Sequence, residues 1–207
     1  MRLQFFGDRQ DFFKWNALRE ELRAQDYYLI YVPMFTGLYG LREGDAGDSF
    51  LQQLGSLSER VERFLDEILS NLFREYLHQR TKIVTAGYRK SLRESYFLGV
   101  LTHVREIRNA HPGHPLLIFL DPDTGISPES GGDDGHVMED SLRTLLEALD
   151  ARDLVLIYQH RQRVTDNATD FEIRARQLAR MFECWGEART PSVVDLDARA
   201  NSYLIRV

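Results

Sequence analysis

Two short segments, Leu116–Leu120 and Leu154–Tyr158, carry apolar or aromatic side chains at every position. Strands that are apolar on both faces are typical of a parallel sheet covered by helices on both sides. A third segment of this kind, Tyr27–Val32, is rich in β-branched and aromatic residues and favours a central strand. Since these segments alternate with stretches of helical periodicity, we expect an α/β protein with parallel strands.

The last two predicted strands differ from the earlier ones in the length of their connection. Only five residues separate Val193–Leu196 from Ser202–Val207, whereas a parallel crossover needs about a dozen or more. This pair should therefore be antiparallel. A mostly parallel sheet closed by one reversed strand is the arrangement of Rossmann-like methyltransferases. We predict one Rossmann-like α/β domain over residues 1–207, with helices on both faces and a C-terminal antiparallel hairpin, a methyltransferase-like topology.

Helical periodicity predicts the elements between the strands. In the first helix, Trp15, Leu18 and Leu22 recur at three- and four-residue steps and share one face. A weaker strand is expected at 81–86. The predicted helices span Asp8–Ala24, Ser49–Gln79, Leu92–Ala110, Met138–Asp150 and Asp170–Cys184.

Composition excludes several classes of protein. The 207 residues carry 32 acidic and 26 basic side chains, a net charge of −6, so nucleic-acid binding would need a local basic patch. Cys184 is the sole cysteine, which excludes an intramolecular disulfide and favours a reducing compartment. No apolar window reaches about 18 residues, so we expect a cytoplasmic protein that does not span a membrane. A homo-oligomer stays open.

Polar side chains follow two of the buried strands. Asp121 and Asp123 come after Leu116–Leu120, and His160 follows the strand that ends at Tyr158. In open α/β sheets, ligands bind outside the carboxyl ends of the strands. We therefore predict that Asp121, Asp123 and His160 form the catalytic group of a site. The structural alternative is that both aspartates are turn residues and that His160 is a satisfied buried histidine.

Basic residues and the first helix add candidate substrate contacts. Arg161 and Arg163 lie beside the predicted cleft, where they would meet a negatively charged substrate. Asp11 and Lys14 are three residues apart and share a helix face. An exposed ion pair with little effect on stability is the alternative interpretation of that pair, and the slightly favoured one.

Three motifs, in order along the chain, resemble those of a known family. They are Phe6-Gly7-Asp8-x-x-Asp11-Phe12-x-Lys14, then Phe119-Leu120-Asp121-Pro122-Asp123-Thr124-Gly125, then Tyr158-Gln159-His160. In these motifs the chain resembles a family of uncharacterised bacterial and phage proteins. More remotely, it resembles the adenine-N6 methyltransferases of large-subunit ribosomal RNA.

The remote resemblance implies a function in methyl transfer to a nucleic acid or nucleotide-type substrate. In those methyltransferases an aspartate and backbone groups at the end of the fourth strand accept the adenine amino group. Carried over, the resemblance implies that Asp121 orients an amino or hydroxyl group of the substrate. It also implies that Asp8, Asp11 and Lys14 of the first helix adjoin that substrate.

S-adenosylmethionine is the cofactor that the resemblance implies, and Pro33 and Gly37 occupy the corresponding loop after the first strand. Three features depart from the family pattern, and one is that no acidic residue follows the predicted strand at Ile83-Val84 to bind the ribose hydroxyls. The loop has one glycine where the family has a Gly-x-Gly turn, and the motif at Asp121 lacks the second proline and the stacking aromatic residue. Because the backbone must approach the cofactor closely, the loss of a glycine weakens the cofactor signature.

Two other functions stay open. Asp121 and Asp123, with His160, could hold Mg²⁺ or Mn²⁺ for hydrolysis of a phosphodiester or phosphomonoester, because hard cations prefer carboxylate oxygens. Alternatively, the chain is a non-catalytic binding module that keeps the fold but has lost the cofactor loop. The topology alone does not choose among these functions.

Overall fold

The computed structural model describes residues 9–34, 80–84, 88, 92–127, 135–160, 172–173, 175–180, 191–196 and 202–207. The predicted helix over Ser49–Gln79 lies outside these residues. Part of the predicted helix after Asp170 is described, and residues 175–180 are helical. The elements, in chain order, are α1 (Arg9–Ala24), β1 (Tyr28–Val32), β2 (Thr81–Ile83), α2 (Arg93–Ala110), β3 (Leu116–Leu120), β4 (Gly125–Ile126), β5 (His136–Val137), α3 (Glu139–Glu147), β6 (Leu154–His160), β7 (Ser192–Asp195) and β8 (Ser202–Arg206).

Six of the strands form one sheet in the order β2-β1-β3-β6-β8-β7. β1 is parallel to β2 and to β3, and β3 is parallel to β6. β8 is antiparallel to both of its neighbours, β6 and β7. The predicted α/β class, with a mostly parallel sheet and a C-terminal antiparallel pair, is therefore confirmed. The last strand is inserted between the two strands that precede it in the sequence.

The parallel strands alternate their side chains between two apolar cores, as a period of two requires. Ile118 and its neighbours on one face pack with the buried stripe of α2 and with α3. Phe119 and its neighbours on the other face pack with Trp15, Leu18 and Leu22 of α1. Helices therefore cover both faces. Full burial of each such side chain stabilises the fold by roughly 1.5–3 kcal/mol.

A buried carboxylate fixes the amino ends of β3 and β6. The Asp153 carboxylate accepts hydrogen bonds from the backbone N–H of Leu116 (2.8 Å) and of Asp150 (2.7 Å), and it pairs with the Arg108 guanidinium. Asp153, which immediately precedes β6, therefore ties the first residue of β3 to the start of β6. The site described below lies at the opposite, carboxyl ends of these strands.

β4 and β5 form a separate two-stranded parallel ladder that the sequence did not predict. Gly125 pairs with His136, and Ile126 pairs with Val137. The sequence predicted only a loop between Ser127 and Gly135, and residues 128–134 of that loop lie outside the described part. None of the helices in the described part combines the length and apolar character needed to cross a bilayer.

Candidate functional site at the carboxyl edge of the sheet

The carboxyl ends of β1, β3 and β6 meet at one edge of the sheet, here called the carboxyl edge. Leu120, the last residue of β3, is in register with Val32 of β1 and with Ile157 of β6. The chain runs on from Leu120 into Asp121, and β6 continues to His160. The prediction that these two strand ends are parallel neighbours is therefore confirmed.

Asp121 lies in a buried ion pair at this edge. The Lys14 Nζ is 2.8 Å from its Oδ1 and 3.0 Å from its Oδ2, and the Tyr31 hydroxyl donates to Oδ2 at 2.9 Å. The side chains of Lys14 and Asp121 are only 3% and 1% exposed. Charge-assisted hydrogen bonds are stronger than neutral ones, so both carboxylate oxygens are held firmly by protein groups.

The position of Lys14 follows from the geometry of α1. Lys14, Leu18 and Leu22 are spaced four residues apart, so they lie along one face of the helix. Leu18 and Leu22 are buried against the sheet, and the same face carries Lys14 to the carboxyl edge. The interpretation of Lys14 as half of an exposed ion pair with Asp11 is therefore wrong. The side chain of Asp11 itself lies outside the described part of the chain.

Tyr158 connects the ion pair to His160. The Lys14 Nζ lies over the Tyr158 ring, 4.3 Å from its centroid. The Tyr158 hydroxyl is 3.3 Å from Nε2 of His160, and the two rings meet edge to face at 4.9 Å. We call Asp121, Lys14, Tyr31, Tyr158 and His160 the polar cluster. All of its members are buried except His160, which is half-buried.

No protein-family model, curated protein or solved structure matches this chain. Its function is therefore inferred from the geometry of the carboxyl edge.

Gly125 of the second motif packs closely against Gln159 of the third. Gly125 has φ +113°, and a Cβ at this position would lie 2.3 Å from Oε1 of Gln159. Oε1 accepts from the Ile126 N–H at 3.0 Å, and Nε2 donates to the Thr124 carbonyl at 3.2 Å. The Gln159 amide thus clamps the loop that follows Asp121 against β6, and only glycine leaves room for it.

Asp123 is half-buried in this clamped loop. The next residue, Thr124, is tied to the Gly135 carbonyl through both its N–H (2.8 Å) and its hydroxyl (2.7 Å). The His160 N–H also donates to the Thr124 carbonyl at 3.3 Å. The backbones of Asp123 and His160 are thus fixed close together, and both side chains are partly open to solvent.

The remaining predicted site residues have mixed outcomes. Pro33 is buried directly after β1, at the carboxyl edge. Asp8, Gly37, Arg161 and Arg163 lie outside the described residues, so their predicted roles in substrate and cofactor binding stay predictions.

Tyr31 and Tyr158 are members of the polar cluster that the sequence analysis did not select. Each is a buried tyrosine on the face of its strand that packs against α1. A buried tyrosine hydroxyl usually finds a hydrogen-bond partner, so a buried tyrosine in a strand indicates a polar group nearby. Here that group is Asp121 for Tyr31 and His160 for Tyr158.

Tyr96 lies on the opposite face of the sheet, in α2. Its hydroxyl is buried and has no hydrogen-bond partner among the described residues. Burial raises the pKa of Tyr96 well above its ordinary value, and the neighbouring Tyr88 and the Asp121 charge add to this effect. The Tyr96 hydroxyl therefore stays protonated and adds no charge to the carboxyl edge.

The described residues contain no group of three or more histidine, cysteine, aspartate or glutamate side chains placed to hold a metal ion. The Lys14 ammonium also occupies the side of Asp121 where a cation would bind, because it contacts both carboxylate oxygens. A divalent ion at Asp121 would have to displace a buried charge partner. The polar cluster therefore does not have the geometry of a metal centre.

Proposed function

We propose that this protein is a methyltransferase-like protein with a Rossmann-like sheet that binds a nucleotide-type substrate, free or within a nucleic acid, at the carboxyl edge. Asp123 and His160 face the substrate in this proposal. Asp121 acts through Lys14 and Tyr31 as a positioning residue. The contact between Lys14 of the first motif and Asp121 of the second is the observation that carries the proposal.

The strand order supports the methyltransferase-like topology. In Rossmann-like methyltransferases the final strand is inserted in reverse, and here β8 lies antiparallel between β6 and β7. The parallel strands β1, β3 and β6 supply the edge where ligands of open α/β sheets bind. Topology supports the placement of a site, whereas the substrate must be argued from the site itself.

The side chains at the edge support a substrate that carries hydrogen-bond donors and acceptors. Asp123 provides a carboxylate that can accept from an amino group, and His160 provides ring nitrogens that can donate or accept. Both are half-buried, so a ligand can reach them without unfolding the loop. Asp121 is buried and bonded to Lys14 and Tyr31, so in this proposal it positions these residues and does not make the direct substrate contact that the resemblance implies.

The described residues do not fit S-adenosylmethionine well. After β2 a cofactor of this kind needs a carboxylate for its ribose hydroxyls, but Val84 follows Ile83 there and its backbone N–H is bonded to Tyr31. Gly37 lies outside the described part. We therefore assign no step to this cofactor, and its binding stays a prediction to be tested directly.

Isothermal titration and thermal shift with AMP, CMP and a short single-stranded oligonucleotide test the substrate site. We expect saturable binding that weakens by about tenfold or more in Asp123→Asn and in His160→Gln. His111→Gln is the matched control, since His111 stacks on Tyr28 at the amino end of β1 and should leave binding unchanged. The proposal is contradicted if no nucleotide binds, or if the affinity is unchanged in both Asp123→Asn and His160→Gln.

The same assay separates the other functions. A rise in melting temperature with S-adenosylmethionine or S-adenosylhomocysteine supports methyl transfer, because a ligand that binds the native state stabilises it. A rise with Mg²⁺ or Mn²⁺ alone supports a metal-dependent phosphoesterase and opposes the proposal. Nucleotide binding without any response to the methyl donor supports a non-catalytic binding module with the same substrate site.

A further inference from the structure

Tyr158 is held on two sides by members of the polar cluster. Lys14 lies against the face of its ring, and its hydroxyl meets Nε2 of His160 at 3.3 Å. Tyr158 is itself buried, whereas His160 is half-buried at the carboxyl edge. The phenol is therefore the link between the buried ion pair and the histidine that a ligand can reach.

The two rings meet because of the strand geometry. Tyr158 and His160 are two residues apart in β6, so both side chains leave the same face of the strand. The intervening residue, Gln159, points to the other face and fixes the backbone through the Thr124 loop. The backbone of His160 is thus anchored, and the orientation of its imidazole is left to side-chain contacts such as that with Tyr158.

The Lys14 ammonium favours the direction of the hydrogen bond in which the Tyr158 hydroxyl donates to Nε2 of His160. A cation on the face of an aromatic ring is attracted to its electrons. It polarises the phenol, so the hydroxyl becomes a stronger donor than an isolated tyrosine would be. A hydroxyl that donates to Nε2 requires that Nε2 is unprotonated, so a neutral His160 carries its proton on Nδ1.

We propose that Tyr158 is a positioning residue that holds His160 with its proton on Nδ1, under the control of the Lys14–Asp121 ion pair. The role of His160 in substrate contact rests on the proposed function, whereas the hold of Tyr158 on its tautomer does not. The ring nitrogen that carries the proton decides what His160 can offer a ligand. Tyr158 therefore sets the hydrogen-bonding character of the site.

Long-range ¹H–¹⁵N correlation spectra of the histidine side chains test this inference without any ligand. The spectra are recorded at about pH 8.5, above the ordinary pKa of a histidine, and the His160 signals are assigned from the His160→Gln variant. In the unaltered protein, we expect His160 to show an unprotonated Nε2 and a protonated Nδ1. In Tyr158→Phe, which keeps the ring under Lys14, we expect the Nε2-protonated tautomer that a solvated imidazole favours.

Tyr31→Phe is the matched control. It removes another hydroxyl from the polar cluster, the one that donates to Asp121. If the Tyr158 hydroxyl is what holds His160, the His160 tautomer should stay as in the unaltered protein. A protonated Nε2 in the unaltered protein, or an unchanged tautomer in Tyr158→Phe, overturns the inference. The same shift in Tyr31→Phe also overturns it, because a general loosening of the cluster would then explain the change.

Nucleotide affinity gives the second readout. Tyr158→Phe removes the hydrogen bond that positions His160. We therefore expect this variant to bind AMP or CMP about threefold to tenfold more weakly than the unaltered protein. A tautomer change together with absent nucleotide binding in the unaltered protein supports the inference and removes the proposed function. Nucleotide binding together with an unchanged tautomer in Tyr158→Phe supports the proposed function and removes the inference. The failure of one proposal can therefore be distinguished from the failure of the other.

Discussion

Lys14 and Asp121 are 107 residues apart in the sequence, yet the Lys14 Nζ lies 2.8 Å from Oδ1 of Asp121 in a buried ion pair. Transfer of two charges from water into a protein interior is costly, and the mutual attraction repays the cost only where further hydrogen bonds complete the pair. Tyr31 supplies one of these bonds, and the Tyr158 ring covers the ammonium. The pair fixes α1 against the carboxyl ends of the strands.

Loss of either member of this pair should destabilise the protein strongly. Asp121→Asn and Lys14→Met each leave one buried charge without its counter-charge, and each should lower the free energy of unfolding by about 3–5 kcal/mol. The double variant should cost less than the sum of the two, with a coupling of about 1–3 kcal/mol. Urea denaturation of all four proteins measures the cycle.

Glu20→Gln is the control for the ion-pair cycle, because Glu20 pairs with Arg19 and Arg23 on the exposed side of α1 and is itself 65% exposed. Its loss should cost about 1 kcal/mol or less. Additive costs in the double variant would show that Lys14 and Asp121 do not stabilise each other.

Gly125→Ala should destabilise the loop that carries Asp123. The new Cβ would meet the Gln159 side chain at 2.3 Å, and the backbone would keep a positive φ. We expect a loss of about 2–4 kcal/mol from the clash and the strain together. Adding Gln159→Ala to Gly125→Ala removes the clash but keeps the strained φ, so it should not restore full stability.

Gly99→Ala is the matched control, because a Cβ at Gly99 in α2 would meet nothing within 4 Å. Alanine is the better helix former, so this change should stabilise the protein by up to about 1 kcal/mol. Equal losses in Gly125→Ala and Gly99→Ala, measured by thermal or urea unfolding, would contradict the clamp between Gly125 and Gln159.

Tyr96→Phe should reduce the loss of stability at alkaline pH. Because the pKa of Tyr96 in the folded protein lies above its ordinary value of 10.0, the native state binds this proton more tightly than the unfolded state. Its stabilising contribution is complete below about pH 10 and is lost as the pH rises further. Without the Tyr96 hydroxyl, the free energy of unfolding should fall less steeply above about pH 10. Part of the fall should persist, because burial also raises the pKa of Tyr27.

At neutral pH the same variant should be as stable as the unaltered protein or slightly more stable. The Tyr96 hydroxyl is buried without a partner among the described residues, and removal of such a group costs nothing or gains up to about 1 kcal/mol. Urea unfolding at about pH 7 and about pH 11, with Tyr28→Phe as the control, measures both effects. A clear loss of stability in Tyr96→Phe at neutral pH would show that the hydroxyl has a partner.

Divalent cations should not bind at Asp121 while Lys14 keeps its ammonium there. Both carboxylate oxygens already contact Nζ, so a cation would meet a positive charge at close range. Calorimetric titration with Mn²⁺ should therefore give the same heat of binding for the unaltered protein and for Asp121→Asn. Binding of Mn²⁺ that depends on Asp121 and stays intact in Glu147→Gln, a remote change of an exposed carboxylate, would restore the phosphoesterase interpretation.

The sequence by itself determined the class of the fold and the direction of its strands. Strands that are apolar on both faces must be covered on both sides, and a five-residue connection between the last two strands cannot make a parallel crossover. It also placed Asp121 and Asp123 at the carboxyl end of β3, because they follow its last residue directly. These conclusions follow from periodicity and chain length, which are local properties of the sequence.

The tertiary structure alone decided which polar groups meet. That Lys14 pairs with Asp121, and that Gly125 makes room for the amide of Gln159, depends on how α1 and the loops pack on the sheet. The sequence analysis slightly favoured an exposed Lys14, although its four-residue spacing from Leu18 places both residues on the face that packs on the sheet. A spacing of this kind also carries no information about the partner. Partners of buried polar groups are set by packing between segments far apart in the chain, because each such group must find its hydrogen bonds wherever the fold leaves them.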